Sequence, residues 1–126
     1  MTRFYLYLNA AFYLAFAIWC TLAPVQTAHS VGYEALSPGG ASEYLVIYGG
    51  MEFGFALFFT YCAQRAQQLG LVFALCLYGP VVVWRWPSIM AHWPVPWATL
   101  VTGILEVVLL IAAIVLWRRR TRNIFR

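Results

Sequence analysis

Four long apolar runs dominate the chain, separated by short clusters of polar and turn-forming residues. They cover residues 4–24, 44–63, 69–86 and 97–117, each close to the ~20 residues with which a helix crosses about 30 Å of hydrocarbon. The first break, residues 25–43, holds Gly32, Pro38, Gly39 and Gly40 and reads as a loop. The second is the polar stretch from Gln64 to Gln68, and the third is a Trp-rich connection punctuated by Pro87, Pro94 and Pro96. Short connections make adjacent helices antiparallel neighbours. The pattern therefore predicts an all-α membrane protein, a single domain over residues 1–126 built as a four-helix up-down-up-down bundle. Pro80, after Gly79 in the third run, predicts a kink or loosened hydrogen bonding there.

Composition agrees with that pattern. The chain is 63% hydrophobic with a mean hydropathy of +0.76, more apolar surface than a soluble domain of 126 residues can hide, so lipid is its expected solvent. The first run follows Arg3 and exceeds a signal-peptide core in length, so it reads as a first span. The net charge of +4 is unevenly distributed, because Arg118, Arg119, Arg120, Arg122 and Arg126 crowd the last nine residues. With the N-terminus in the cytoplasm, these five join Arg3 and Arg65 inside, and only Arg85 is left outside. The positive-inside rule thus predicts cytoplasmic N- and C-termini, with Trp19, Trp84, Trp86, Trp93 and Trp97 near the outer interface. The arginine tail reads as a stop-transfer anchor drawn to lipid headgroups, which excludes nucleic acid as the expected partner.

Glu52 and Glu106 interrupt the second and fourth runs. An ionisable group inside a membrane helix is costly and is a candidate functional residue by default. Glu52 comes nine residues after Glu43, and Glu106 nine after Trp97. At the rise of a helix, both lie about 13 Å below the outer boundary. Equal depth predicts one shared interior site. Glu106 shares a helical stripe with Thr99, Thr102, Gly103 and Ala113, and Glu52 shares one with Tyr48, Gly49, Ala56 and Phe59. Gly50 and Gly54 form a GxxxG spacing on the other face of the second helix and, with Gly103, are candidates for close helix packing. Arg85 is the one cation available to neutralise either carboxylate, and pairings with Glu106 and with Glu52 both stay open. The unpaired one would then rely on Tyr48, Tyr78, Thr102 or Asn9. The competing structural reading makes these groups interhelical glue.

Other residues change the picture little. Cys20, Cys62 and Cys76 form no CxxC and read as small packing residues. His29 and His92 fall in the outer connections with Glu34 and Glu43, without metal-ligand spacing, so neither a metal nor a cofactor is expected. No catalytic motif is present. The segment from Ser42 to Gly54, containing Tyr48-Gly49-Gly50 ahead of Glu52, resembles the signature region of a family of small bacterial four-helix inner-membrane proteins of unknown function that is distantly DoxX-like. Arg85 and Glu106 fall where such proteins carry Arg and Glu. Members of that family often carry Arg just before the Tyr-Gly-Gly element, where this chain has Leu45 and Val46. The resemblance implies this fold and a bacterial inner-membrane address.

Three functions follow, in order. The first is a non-enzymatic protein that binds a small apolar or lipid-like ligand or serves as an accessory subunit of a membrane complex. Its partners would be membrane lipids, with a homodimer or a larger complex open. The second is a small proton-coupled transporter using Glu52 and Glu106, although the small multidrug-resistance transporters place their Glu in the first helix, which here has no acidic residue. The third is a membrane enzyme acting on a lipidic substrate through a Glu acid/base pair.

Overall fold

A computed structural model describes residues 1–124, with side chains through Thr121; the Arg122 side chain and Arg126 lie outside the described residues. The chain is helical throughout its spans: α1 (Thr2–Leu22), α2 (Pro24–Ser30), α3 (Pro38–Leu45), a π-helical segment (Val46–Met51), α4 (Glu52–Arg65), α5 (Gln67–Ala91) and α6 (Trp97–Ile124). Four helical stretches are long and apolar enough to cross a membrane: Thr2–Leu22, Pro38–Arg65, Gln67–Ala91 and Trp97–Thr121. This is a multi-pass membrane protein. Its surface matches a lipid solvent, with Ile18, Leu57, Val83, Ile104, Val108 and Ile111 all exposed.

The breaks are sparer than the sequence pattern predicts. The expected loop over residues 25–43 holds α2 and the start of α3. Pro24 sits in the first turn of α2, where its fixed φ suits a helix and its missing N–H is not needed. Ser37 caps α3 by accepting a hydrogen bond from the Gly40 N–H at 3.1 Å, again with proline, Pro38, in the first turn. Between α4 and α5 only Ala66 leaves the helical region, at φ −146 and ψ 57. Helix α5 runs through both Pro80 and Pro87, so the third apolar helix extends beyond Trp86 to Ala91.

Packing pairs α1 with α4 and α5 with α6 most extensively, and α5 also touches α1 and α4. Phe59 stacks on Tyr13 with ring centroids 5.8 Å apart and meets Phe73 edge-on at 5.2 Å, joining α1, α4 and α5. A polar thread runs through the same core. The Tyr5 hydroxyl donates to the Leu109 carbonyl at 2.9 Å, the Asn9 amide donates to the Tyr5 carbonyl at 2.8 Å, and the Tyr78 hydroxyl donates to the Asn9 side-chain oxygen. Asn9 is fully buried, so every strong hydrogen-bonding group it brings inside needs such a partner.

Glycines set how closely the helices approach. A Cβ on Gly70 would stand 2.8 Å from both Cys62 Cβ and Leu6 Cδ2, two fully buried side chains with no room to retreat. Gly50 and Gly54 meet nothing within 4 Å of that position, so the close packing expected of this GxxxG pair is not made within the chain. A GxxxG spacing permits close approach only where a second helix faces it. Gly70→Ala is expected to lower stability by about 1–3 kcal/mol through overpacking, whereas Gly54→Ala should leave it unchanged or slightly raised. Equilibrium unfolding in mixed micelles checks both.

Candidate functional site

Arg85 on α5 and Glu106 on α6 form a two-pronged ion pair. Arg85 Nε donates to one carboxylate oxygen of Glu106, and Nη2 donates to the other at 2.6 Å. Gly103, one turn before Glu106, makes this possible. A Cβ there would stand 3.0 Å from Arg85 Cδ, so the bare glycine surface is where the arginine stem crosses α6. The Glu106 side chain is 12% exposed and that of Arg85 29% exposed. The planar guanidinium suits a carboxylate in this geometry in a way an ammonium would not.

A cavity of about 310 Å³ opens beside the pair, lined among others by Phe16, Trp19, Tyr44, Tyr48, Arg85 and Thr102. Thr27, Ser30 and Tyr33 add a wall from the connection after α1. A smaller cavity of about 80 Å³ shares Phe16 and Thr102 with it and includes Tyr13, Tyr78 and Glu106. On the other side of Arg85 lies a more open space of about 370 Å³ with Trp84, Ser88, His92 and Thr99 in its wall. Arg85 therefore borders two cavities, while its partner Glu106 lines the third.

Local structure holds this wall in place. The Tyr44 hydroxyl donates to Thr27 Oγ1 at 3.0 Å, and the Thr27 hydroxyl donates to the Ala23 carbonyl at 2.9 Å, which ties α3 to α2. The Tyr44 and Tyr48 rings pack with their centroids 4.5 Å apart, tilted by 31°. Gly32, at φ +98, turns the chain out of α2 where a side chain would be strained, and it packs near Pro96 of the α5–α6 connection. The π-helical segment contains Tyr48, Gly49 and Gly50. Its wider turn puts Tyr44 and Gly49, five residues apart, both in the buried face. A Cβ on Gly49 would stand 2.8 Å from Thr21 Oγ1, so this segment lies directly against α1.

Of the residues expected at one interior site, Arg85, Thr102 and Tyr48 line the larger cavity, and Glu106 and Thr102 the smaller one. Gly49 lies behind them against α1, and Gly103 supports the arginine stem. Glu52 stands apart. It follows the π segment on the α4 face of Ala56, Phe59 and Ala63, half-buried, with its buried Oε2 lacking any hydrogen-bond partner among the described residues. Between the two pairings left open for Arg85, the ion pair is with Glu106. Tyr13 remains within electrostatic reach of both carboxylates.

Sequence reasoning missed Thr27, Ser30, Tyr33 and Tyr44 in the cavity wall. For Thr27 and Ser30 the one signal was Pro24 as a helix start, and a helix of seven residues is too short for periodicity to mark them. Among the described residues no three His, Cys, Asp or Glu side chains gather to hold a metal ion, and Cys20, Cys62 and Cys76 are free thiols.

The family model for a domain of unknown function, DUF4345, matches residues 1–117. The chain belongs to the DUF4345 family. The match takes in every cavity residue of this DUF4345 protein and ends before Arg118, so the arginine tail lies beyond it. No curated protein and no solved structure matches the chain.

Proposed function

We propose that the protein is a non-enzymatic component of the bacterial inner membrane that binds a small apolar or lipid-like ligand in the cavity beside Arg85. The observation carrying this reading is a space of about 310 Å³ walled by aromatic rings, with a few polar groups and an ion pair at its edge. Small-molecule sites have this character and begin at about this size. Service as an accessory subunit is compatible with the same site, since a bound lipid can sit between partners. The proposed topology is an up-down-up-down bundle with both termini in the cytoplasm, supported by the placement of arginines at the two ends. In a background with Cys20, Cys62 and Cys76 replaced by serine, Glu34→Cys should then react with an impermeant maleimide on intact cells. Gln67→Cys should react only after permeabilisation.

Native mass spectrometry of gently extracted protein tests the binding reading. The expected result is a defined added mass on the wild type that is lost when Thr102→Trp fills the junction of the two inner cavities. A bare chain in both proteins contradicts it.

A second reading, a small proton-coupled transporter, is favoured by one observation: the Oε2 of Glu52 is buried without a partner in the second apolar helix. Buried carboxylates of this kind exchange protons for cationic substrates. Substrate-dependent proton release in vesicles, abolished by Glu52→Gln, would support transport; release unaffected by that change would remove it.

A further inference from the structure

The hydrogen-bonding groups in the cavity wall divide into committed and uncommitted sets. Thr27, Ser30, Tyr44 and Thr102 spend their hydroxyl protons within the chain, on the Ala23 carbonyl, the Thr27 carbonyl, Thr27 Oγ1 and the Ala98 carbonyl respectively. What remains is led by donors: the spare N–H groups of Arg85, which can only donate, and the hydroxyls of Tyr33, Tyr48 and Thr99, which can donate or accept. Arg85 has five N–H groups and gives one from Nε and one from Nη2 to Glu106, so its far edge still has N–H groups to offer. The Tyr33 and Tyr48 hydroxyls neighbour one another and are committed at most to each other among the described residues, and Tyr48 is within electrostatic reach of both Glu52 and Arg85. All four line the same cavity.

We infer that the ligand is a small amphiphile whose polar end is a hydrogen-bond acceptor, a carbonyl or carboxylate oxygen, received by Arg85, Tyr48 and Tyr33. This deepens the ligand-binding reading and rests on it. The physical reason is asymmetry of supply. Arg85 can only donate, so an ammonium or other donor head finds nothing to bond there while an acceptor head satisfies it, and the phenols add their protons to an acceptor. Glu106 cancels the formal charge of Arg85 and leaves a dipole with its positive end at the cavity, which favours acceptor oxygens whether neutral or ionised. The apolar body then lies against Phe16, Trp19 and Val31. The space is far too small for a whole two-chain phospholipid, so the ligand is a single-chain or compact molecule.

The test uses the full-length protein in nanodiscs and a matched series on one alkyl chain: the carboxylic acid, the methyl ketone, the primary amine and the hydrocarbon. Trp19 borders the cavity, so the fluorescence change lost in Trp19→Phe reports occupancy. The acid and ketone are expected to bind saturably and more tightly than the other two. Tyr48→Phe and Tyr33→Phe should each weaken them by about three- to tenfold without altering the hydrocarbon. These changes remove one hydroxyl and leave the ion pair intact. Equal binding of all four probes, or preference for the amine, overturns the acceptor assignment while ligand binding stands. Failure of every probe to give a Trp19-dependent signal overturns the ligand-binding reading itself.

Discussion

Replacing Arg85 with leucine is expected to lower the unfolding free energy by about 2–3 kcal/mol, below the cost of breaking a fully buried ion pair because this one is part-buried. Glu106 is the more enclosed member and has no second cation paired with it among the described residues, as Arg85 fills its fork with both donors. Glu106→Leu should cost less. A freed Arg85 side chain can extend toward the interface, which a short carboxylate cannot do. The double variant R85L/E106L should recover most of the loss, because two apolar side chains at this depth need no partner. A double-mutant cycle measured by unfolding in mixed micelles reads the coupling directly. Additive losses would show that the pair contributes nothing as a pair.

Replacing Glu52 with leucine is expected to act in the opposite direction, stabilising the fold by about 1–3 kcal/mol. The reason is its orphaned acceptor: a buried oxygen without a donor carries its desolvation cost in full, and removing it returns that cost. Leucine suits the face of Ala56, Phe59 and Ala63, which packs toward the core. The two glutamates, alike in sequence position, thus make opposite predictions. A destabilised Glu52→Leu variant would mean that Glu52 has a partner in the membrane, such as a second chain or a ligand. The same unfolding measurement decides this.

The spans, and an ion pair from Arg85 to one of the two glutamates without saying which, were legible in the sequence because each follows from one strong constraint. Runs of about twenty apolar residues have few alternatives to a membrane helix, and a lone Arg85 has few places to send its charge. Gly103 was also legible, being three residues before Glu106 on one helical face. The relation of Glu52 to the rest was not. Equal depth presumes an unbroken α-helix, and the π-helical turn at Val46–Met51 changes the register between Glu43 and Glu52. Nothing in Val-Ile-Tyr-Gly-Gly-Met announces that turn except the two glycines. The cavity wall was hidden for another reason. Residues 25–43 read as a loop, and the helices there are short elements set by Pro24 and by the Ser37–Pro38 cap, below the length at which periodicity is visible. Gly70 gave no pattern at all, since its importance comes from Leu6 and Cys62, distant in sequence.

Photo-crosslinking with a single-chain carbonyl amphiphile bearing a diazirine tests the central claim most directly. Peptide mapping should place the label on cavity residues such as Trp19, Tyr33, Tyr48 and Thr99, and excess unlabelled ketone should compete it away. Label spread over the outward faces at Leu57, Val83, Ile104 and Val108, and insensitive to competitor, would mean that the amphiphile dissolves in the surrounding lipid and that the space beside Arg85 binds nothing.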